Sequence, residues 1–344
     1  MLRPNRLSMR PSHPEEIVVD ITRSEPAALL AKAAAAAGYA PSILNTQPWR
    51  WRVLGDVLEL YADRARQMRA VDPEGRLLTI SCGAALQHAV LALAAEGVTA
   101  DVELVADDDL LARVRVAGRQ EVTGQAMRTV QDMRLRHTDR RPVSAAAEPS
   151  AIAEVRRAGT MPGVDVHLLR PEQVSELGVA AAHADHSELL DPRQRAELAY
   201  WVGGDHPDST GVPLDVVPSE PTAGPVPGRD YVRAGRLDPA DGNDAYATYL
   251  MLFGPGDGPA DWLRAGQALA SAWLKATELG LSVLPFSSVV EVAPVRETLA
   301  ARVLSGLGHP YLVLRLGATD PEHRLPPHTP RLSADQVIEI VEPA

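Results

Sequence analysis

The stretch APSILNTQPWRWRV, residues 40–53, places two of the chain's five tryptophans beside two side-chain amides. Aromatic residues make up only 4% of the sequence, so two tryptophans within three residues are an unusual local concentration. The prolines and Asn45 predict an irregular turn, and Gln47 belongs to the same turn. Trp49 and Trp51 alternate with arginines and therefore predict a strand that packs its aromatic face inward.

Composition sets the broad class of the protein. The chain has 344 residues, 45% apolar and 23% charged, as in a water-soluble globular protein with one large domain or two or three smaller ones. Its net charge of −11 disfavours nucleic acid and anionic membranes as partners. Cys82 is the single cysteine, which excludes an intramolecular disulfide and a cysteine-based zinc site. No signal-like opening and no run of 18 apolar residues is seen, so we expect a cytoplasmic protein.

Hydrophobic periodicity predicts alternating helices and strands, and therefore an α+β chain. A helix should follow Ser24 and end at Gly38. The other predicted helices are 83–97, about 120–137, 261–279 and 333–341, and the predicted strands are two within 51–61, then 101–107, 164–170, 246–254 and 311–317. The segment 202–243 is rich in Gly, Pro and Asp, and its length predicts a lid or a binding loop.

Two of the predicted helices are similar in sequence. GAALQHAVLALAAEGV from Gly83 and GQALASAWLKATELGL from Gly266 match at six of sixteen positions with a constant offset of 183. Any two Ala/Leu-rich helices share residues, but here glycines stand at equal spacing in both copies, at Gly97 and Gly280 as well. This favours duplication, so we predict two pseudo-symmetric halves fused in one chain, residues 1–124 and 125–344.

A basic segment, RLRHTDRRPV at 134–143, is a candidate anion site. The guanidinium forks of Arg136, Arg140 and Arg141 match phosphate geometry, and the hydroxyl of Thr138 adds a donor. The alternative is a solvated, salt-bridged helix end, which is the commoner fate of charge runs.

Together, the PSxxNTQPW loop and the RHTxR segment resemble the flavin-dependent nitroreductase family, and their distribution resembles its Acg-type branch. The resemblance implies a nitroreductase-like fold, in which the two segments come from different subunits and bind FMN together. The residues that match these cofactor positions are Pro41, Ser42, Asn45, Gln47, Arg136, His137, Thr138 and Arg140. The first half carries the loop, and no such loop follows the arginine segment of the second half. A fused pseudo-dimer of this kind implies one complete FMN site.

Two further segments fit the same resemblance. ELGLSVLPFSS resembles the family's turn near flavin N5, which points to Pro285, Phe286, Ser287 and Ser288. HRLPPHTPRLSADQV resembles its C-terminal phosphate-binding segment, where Arg331 fits best and Arg324 is the alternative. Arg140 is placed by the same analogy near flavin N1 and O2.

The resemblance implies NAD(P)H-dependent reduction of nitroaromatics, quinones or similar small-molecule acceptors. No catalytic side chain is predicted, because the cofactor would carry the electrons. The alternative is a protein that holds FMN under a lid with little turnover. A monomer containing the internal pseudo-dimer is expected, and association into a further homodimer is left open.

Two other groups of residues are candidates for a metal site and a reactive thiol. His183, His186 and Glu188 have spacing suited to a metal, but a solvated helix face is the commoner outcome. Cys82 stands near a predicted helix start, yet without a histidine partner it is expected to be a packed core residue. We predict no metal site.

Overall fold

The computed structural model describes residues 25–204, 206, 209–222, 224–238, 243–318 and 326–341. Two sheets flank a central pair of long helices. The helices are α1 Glu25–Ala37, α2 Arg76–Ala95, α3 Gly124–Leu135, α4 Pro149–Gly159, α5 Pro171–Leu190, α6 Pro192–Trp201, α7 Pro259–Glu278, α8 Ser288–Glu291, α9 Ala293–Arg302 and α10 Ala334–Val337. The strands are β1 Trp49–Leu54, β2 Val57–Ala62, β3 Val98–Asp107, β4 Leu110–Arg119, β5 Asp165–Leu168, β6 Thr248–Gly254, β7 Leu281–Phe286, β8 His309–Ala318 and β9 Ile338–Val341.

The first sheet has the strand order β3-β4-β2-β1-β9. In β1 the buried residues alternate with more exposed ones, so Trp49, Trp51 and Val53 face the core as the sequence predicts. Gly55 adopts a left-handed φ of 58° in the turn before β2. At the other edge of β1, the last strand β9 runs parallel to it, with Trp51 opposite Ile338.

The second sheet repeats the first. Its order is β5-β6-β8-β7, so β7, β8, β6 and β5 take the places of β3, β4, β2 and β1. The offset of 183 found in the sequence relates both ends of α2 to both ends of α7. Gly97 and Gly280, which follow these helices, both have positive φ, 75° and 67°. The prediction of two pseudo-symmetric halves fused in one chain is confirmed.

The two central helices cross where the repeated glycines lie. A methyl group on Gly83 would lie 2.1 Å from the carbonyl oxygen of Leu263, and one on Gly266 would lie 2.0 Å from the carbonyl oxygen of Ile80. Leu263 precedes Gly266 by three residues, as Ile80 precedes Gly83, so the two contacts are equivalent under a two-fold relation. The glycines therefore allow the backbones of α2 and α7 to touch.

Three hydrophobic clusters fill the structure. One lies under each sheet, and a third lies beneath the segment 202–243, called the strap below. In this third cluster Val212, Val216 and Val217 of the strap pack on Met68 and Trp201. The strap is therefore a packed part of the molecule in the residues described.

Two sequence predictions of secondary structure are wrong. The helix expected over 83–97 begins at Arg76, so Cys82 lies inside α2 rather than near its start. We expected a single helix over 333–341, but α10 is one turn long and the chain continues as β9. The helix start was read correctly, because Ser333 and Gln336 form a capping box. The alternating residues after it pair with β1 instead.

Helix α2 is long and apolar enough, by length and composition alone, to cross a membrane. Most of its surface is buried by protein, since it packs against α1, α3 and α7. These contacts identify α2 as a core helix.

Candidate functional site

A cavity of about 970 Å³, counting the part open to solvent, lies between the two halves. The first half contributes the 41–45 loop and the start of α2, and the second contributes α7, the end of β7 and the residues after α3. Eleven of the fourteen predicted residues line the cavity, namely Pro41, Ser42, Asn45, Arg136, Thr138, Arg140, Pro285, Phe286, Ser287, Ser288 and Arg331.

The 40–48 loop has an unusual backbone. Leu44, Asn45 and Gln47 have φ values of 40°, 57° and 49°, in the left-handed region that non-glycine residues seldom adopt. Such conformations persist only where the surroundings fix them, and they concentrate at functional sites. Ser42 Oγ accepts a hydrogen bond of 2.9 Å from the Gln47 backbone N–H and helps to close the loop.

The two amides of the loop hold it to distant segments. Asn45 Nδ2 donates to the carbonyls of Gly211 and Pro330, each at 3.0 Å, and Asn45 Oδ1 accepts from Arg331 at 3.0 Å. Gln47 Nε2 donates to the carbonyl of Ser209 at 3.0 Å, and Gln47 Oε1 accepts from the N–H of Leu332 at 2.9 Å. Each amide thus joins the loop to the strap and to the chain's last segment.

Arg136 and Arg331 form the cationic end of the cavity. Arg136 stacks on Trp273 with its guanidinium carbon 4.4 Å from the ring centroid, and its Nη2 donates to the Tyr39 carbonyl at 3.4 Å. Among the described residues no carboxylate contacts either guanidinium, and both Nε atoms are buried without a hydrogen-bond partner. Burial, with the nearby charge of Arg331, holds the pKa of Arg136 well below its ordinary value. Burial also lowers the pKa of Arg331 to about 10. A buried cation pair without an acid is suited to bind an anion.

Arg140 lies at the strap side of the cavity. Its Nε donates to the Tyr231 hydroxyl at 3.1 Å, and its Nη1 donates to the Val216 carbonyl at 3.2 Å. The described carboxylates form no ion pair with Arg140. This leaves a cation at the cavity wall whose contacts are all neutral.

Buried ion pairs fix the backbone that carries these arginines. Arg315 of β8 donates to the carbonyls of Asp139 and Arg141 at 2.8 and 2.6 Å and pairs with Asp244 at 2.9 Å. Burial raises the pKa of Asp139, but the hydrogen bonds and charge of Arg141 outweigh it and hold that pKa below its ordinary value. Arg141, predicted as part of the anion site, instead pairs with Asp139.

The end of β7 forms another wall. Pro285 and Phe286 are its last residues, and Ser287 and Ser288 lead into α8. Phe286 and Ser288 are buried, and the Phe286 ring lies 6.2 Å from that of Tyr249, edge to face. This packing gives the wall a fixed shape.

Two predicted residues are placed elsewhere, and a third cannot be compared. Gln47 is wholly buried and lies outside the cavity lining. His137 also lies outside it, with Nδ1 3.1 Å from the Leu135 carbonyl and its ring against His328. Arg324 lies outside the described residues. Trp49 and Trp51 pack in the core of the first half, as the inward-facing strand predicts, and neither lines the cavity.

Several lining residues were missed by sequence reasoning. Ser81 and Trp273 come from α2 and α7, and Arg229 and Tyr231 come from the strap. Trp273 had a usable signal, because Val90 stands at its place in the first copy of the repeat and a large aromatic marks the copy that faces a site. No local sequence signal indicates Arg229, because its partners Glu188 and Glu291 are far away along the chain.

The second pseudo-symmetric position lacks a matching loop. Residues 38–48 connect α1 to β1, whereas only 160–164 connect α4 to β5. An Arg-x-Ser-x-Arg pattern does not distinguish the two halves, because the first half also contains one, Arg6-Leu7-Ser8-Met9-Arg10. That match lies outside the described residues. Because the α4–β5 connection is too short for such a loop, a second site would lack one of its two segments.

The metal and thiol candidates have structural roles. No group of three metal-binding side chains occurs in the part of the chain that the structure describes. Glu188 does not face solvent as expected but is buried in an ion pair with Arg229. Cys82 is wholly buried, burial raises the pKa of its thiol, and its Sγ lies 3.2 Å from the Pro48 carbonyl.

Comparison with known proteins gives the class. The chain is 37% identical over 310 residues to "Putative NAD(P)H nitroreductase Rv3131" of Mycobacterium tuberculosis strain H37Rv, covering 87% of this chain and 88% of the relative. It is 30% identical over 308 residues to "Putative NAD(P)H nitroreductase acg" of the same strain, covering 88% and 92%. No family model matches.

Solved structures with similarity include the FMN and NADPH-dependent nitroreductase NfnB of Sphigopyxis sp. strain HMH, with 19% identity, a TM-score of 0.39 and coverage of 61% of this chain and 97% of that one. An FMN-bound nitroreductase of Bacteroides fragilis has 13% identity and a TM-score of 0.36, and covers 58% and 93%. On the sequence relatives, the chain belongs to the NAD(P)H nitroreductase family, in the branch that includes acg. The family resemblance is confirmed.

Proposed function

We propose that this protein is an FMN-dependent oxidoreductase that takes electrons from NAD(P)H and reduces small-molecule acceptors such as nitroaromatics or quinones. The observation that carries the proposal is the cavity between the halves, where the buried guanidiniums of Arg136 and Arg331 have no acid against them among the described residues. The names of the sequence relatives support NAD(P)H as the electron donor.

The residues present fit FMN. A phosphate monoester is a dianion near neutral pH, and Arg136 and Arg331 offer two positive charges with free Nε donors. The cavity has apolar walls at Trp273, Leu284 and Phe286, as a flat aromatic ring system requires. This match of charge and shape supports one FMN in the cavity.

The protein's part in the chemistry is to bind and orient. When bound, FMN supplies the capacity to accept two electrons from a nicotinamide and pass them to an acceptor. Arg136 and Arg331 would hold the phosphate, Thr138 and Ser42 the polar chain, and Arg140 the polar edge of the ring. We propose that Asn45 and Gln47 act through the loop they hold rather than through contact with the cofactor.

The strap supports a second part of the proposal, namely that it covers the site. Val212, Arg229 and Tyr231 bring three points of the strap to the cavity wall. Arg229 fixes the strap by pairing with Glu188 at 3.0 Å and Glu291 at 2.7 Å. A cover of this kind restricts acceptor size. An FMN-holding protein with little turnover is the alternative, and the family relationship favours the reductase.

The experiment is titration of the apoprotein with FMN and riboflavin, followed by anaerobic addition of NADPH. Arg136→Ala should weaken FMN binding by roughly 1.5–3 kcal/mol, about tenfold to a hundredfold, because a charge-assisted phosphate contact is lost. Riboflavin, which lacks the phosphate, should bind both proteins equally. Arg134→Ala is the matched control, since Arg134 is exposed two residues away.

Bleaching of the bound flavin by NADPH, followed by return of the yellow colour when a nitroaromatic is added, would support the reductase. Persistent yellow colour in excess NADPH would instead favour the holding protein. Equal FMN affinity of the two arginine variants would contradict the phosphate assignment. We further propose that the protein acts in the cytoplasm as a monomer or a homodimer, without nucleic-acid or membrane partners.

A further inference from the structure

A second cavity adjoins the first beneath the strap. It has a volume of about 760 Å³, counting the part open to solvent, and two limbs of the strap, residues 217–222 and 228–234, form most of its lining. Five residues line both cavities, namely Arg140, Arg229, Tyr231, Leu284 and Phe286. The two spaces therefore share a wall, which is made by the end of β7, the Arg140 side chain and the strap.

The second cavity runs from an exposed rim to a buried floor. At the rim, Ser219 and Pro221 of one limb and Ala234 of the other are exposed to solvent. At the floor, Val217 and Phe286 are buried. This gradient makes the cavity a path from solvent, between the two limbs of the strap, to the wall shared with the first cavity.

The Arg140 guanidinium in this wall has donors to spare. Arg140 is 8% exposed, its Nε donates to the Tyr231 hydroxyl, and its Nη1 donates to the Val216 carbonyl. The Tyr231 ring also lies against the guanidinium, with its centroid 5.5 Å from the guanidinium carbon. Nη2 carries two N–H donors and has no hydrogen-bond partner among the described residues. Arg140 can therefore serve the first cavity with one donor and the second cavity with another.

The other charges of the lining are balanced or solvated. Arg315 pairs with Asp244 at 2.9 Å, and Arg229 is more than balanced by the two glutamates that hold it. Three charged residues stand at the exposed rim, where water and salt screen them, namely Glu220, Asp230 and Arg233. Arg140 is thus the buried cation of this lining that none of the described carboxylates neutralises.

We propose that the second cavity is the entry and binding subsite for the electron acceptor, and that it takes a planar molecule with one anionic group, such as a carboxylate, on Arg140. The inference rests on the proposed function, because it requires FMN in the first cavity. Nη2 of Arg140 binds the anionic group, and Leu284 and Phe286 contact the flat apolar part at the shared wall. The acceptor enters between the limbs of the strap, so the strap stays packed during turnover.

The experiment compares the binding of 4-nitrobenzoate and its neutral methyl ester to the FMN-loaded protein, in which the cofactor occupies the first cavity. Calorimetric titration should show that wild type binds the carboxylate about tenfold or more tightly than the ester, because only the carboxylate forms a charge-assisted hydrogen bond. Ala234→Trp, which fills the second cavity from its rim, should weaken binding of 4-nitrobenzoate and leave the affinity for FMN unchanged. Arg236→Trp is the matched control, since Arg236 is exposed on the same segment and lines neither cavity.

A second variant tests the role of the cation. Arg140→Gln should abolish the preference for the carboxylate over the ester, whereas Arg134→Gln, an exposed change nearby, should keep it. The preference is a ratio measured within one protein, so a general effect of Arg140 on FMN binding cancels.

Equal affinities of wild type for the two probes would overturn the anionic class of acceptor. Binding of 4-nitrobenzoate that survives both Ala234→Trp and Ser219→Trp would overturn the site, and the second of these variants decides should the first fail to fold. Absence of FMN binding, or of bleaching by NADPH, would instead refute the proposed function. In that case the apoproteins of Ala234→Trp and Arg236→Trp still test the second cavity, because equal affinity of the two for 4-nitrobenzoate would contradict it.

Discussion

At the scale of single residues, the side-chain amides of Asn45 and Gln47 hold a loop whose backbone conformation costs free energy. Three left-handed non-glycine residues cost on the order of 1–3 kcal/mol each, and they occur within four positions of the loop. Asparagine populates this region more often than other non-glycine residues, and here the Asn45 side chain is held by Gly211, Pro330 and Arg331. The hydrogen bonds from Asn45 and Gln47 to the strap and the last segment offset part of this cost.

Another residue-scale feature predicts a pH dependence of stability. Burial raises the pKa of Asp185 to about 6 from 3.8; Arg229 opposes the rise, while Asp230 and Glu291 add to it. The folded chain therefore binds this proton more tightly than the unfolded chain, so this group's contribution to stability falls as pH rises from 4 to 6. Asp185→Asn should raise the melting temperature at pH 8, and the gain should vanish near pH 3.5.

Thermal unfolding of the variant and wild type across this range measures the effect. Asp165→Asn, an exposed change on β5, is the control. A gain of Asp185→Asn that is constant with pH would show that ionisation is not its cause.

At the scale of elements, the crossing of α2 and α7 makes a sharp prediction. Replacing a helical glycine with alanine ordinarily stabilises a helix by about 0.5–1 kcal/mol. At Gly83 the new methyl group would meet the Leu263 backbone at 2.1 Å, so the helices must separate. Gly83→Ala should therefore lower the free energy of unfolding by several kcal/mol, as overpacked cores do at about 1–3 kcal/mol or more.

Denaturant unfolding with Gly124→Ala as control tests this. A methyl group at Gly124 would meet the tip of the Arg128 side chain at 3.5 Å, an ordinary contact. Two variants of equal stability would mean that α2 and α7 do not depend on close backbone contact.

The strap is the other element with a testable role. Gln47→Ala removes the bonds to Ser209 and Leu332 without touching the cavity lining. The lost bond to Ser209 weakens the closed strap by about 0.5–1.5 kcal/mol, so FMN release should quicken by about twofold to tenfold. Stopped-flow release after mixing with excess apoprotein of a second flavin binder measures the rate. Unchanged release, beside an unchanged Arg134→Ala control, would mean that the strap does not cover the site.

The elements also show where sequence reasoning succeeds. Local signals predicted the 40–48 loop, the β1–β2 hairpin, α2 and α7, because each depends on residues close together in the chain. β4 and the helices between 149 and 201 were missed, although the alternation in LLARVRVAGR was readable. β9 was predicted as part of a helix because its partner β1 is about 280 residues away along the chain. Gln47 was expected at the cofactor, since no local pattern shows that its amide faces Ser209 and Leu332.

At the scale of the whole molecule, asymmetry between the halves predicts the number of cofactors. Only the α1–β1 connection is long enough for the Asn-Gln loop, and the α4–β5 connection is five residues. We expect one FMN per chain, measured as extracted flavin against protein by absorbance. A ratio near two would show that a second site forms without this loop, and none after reconstitution would contradict the composite cavity.

The parallel pairing of β9 with β1 also bears on synthesis. At about 5–20 residues per second, a ribosome takes roughly 15 to 60 s to make the residues between these two strands. During this interval the β1 edge of a growing chain has no β9 to cover it, and unpaired edges attract other strands. Arg331 is also synthesised late. The nascent protein therefore passes through a long stage in which its β1 edge can pair with other strands and the proposed FMN site is incomplete.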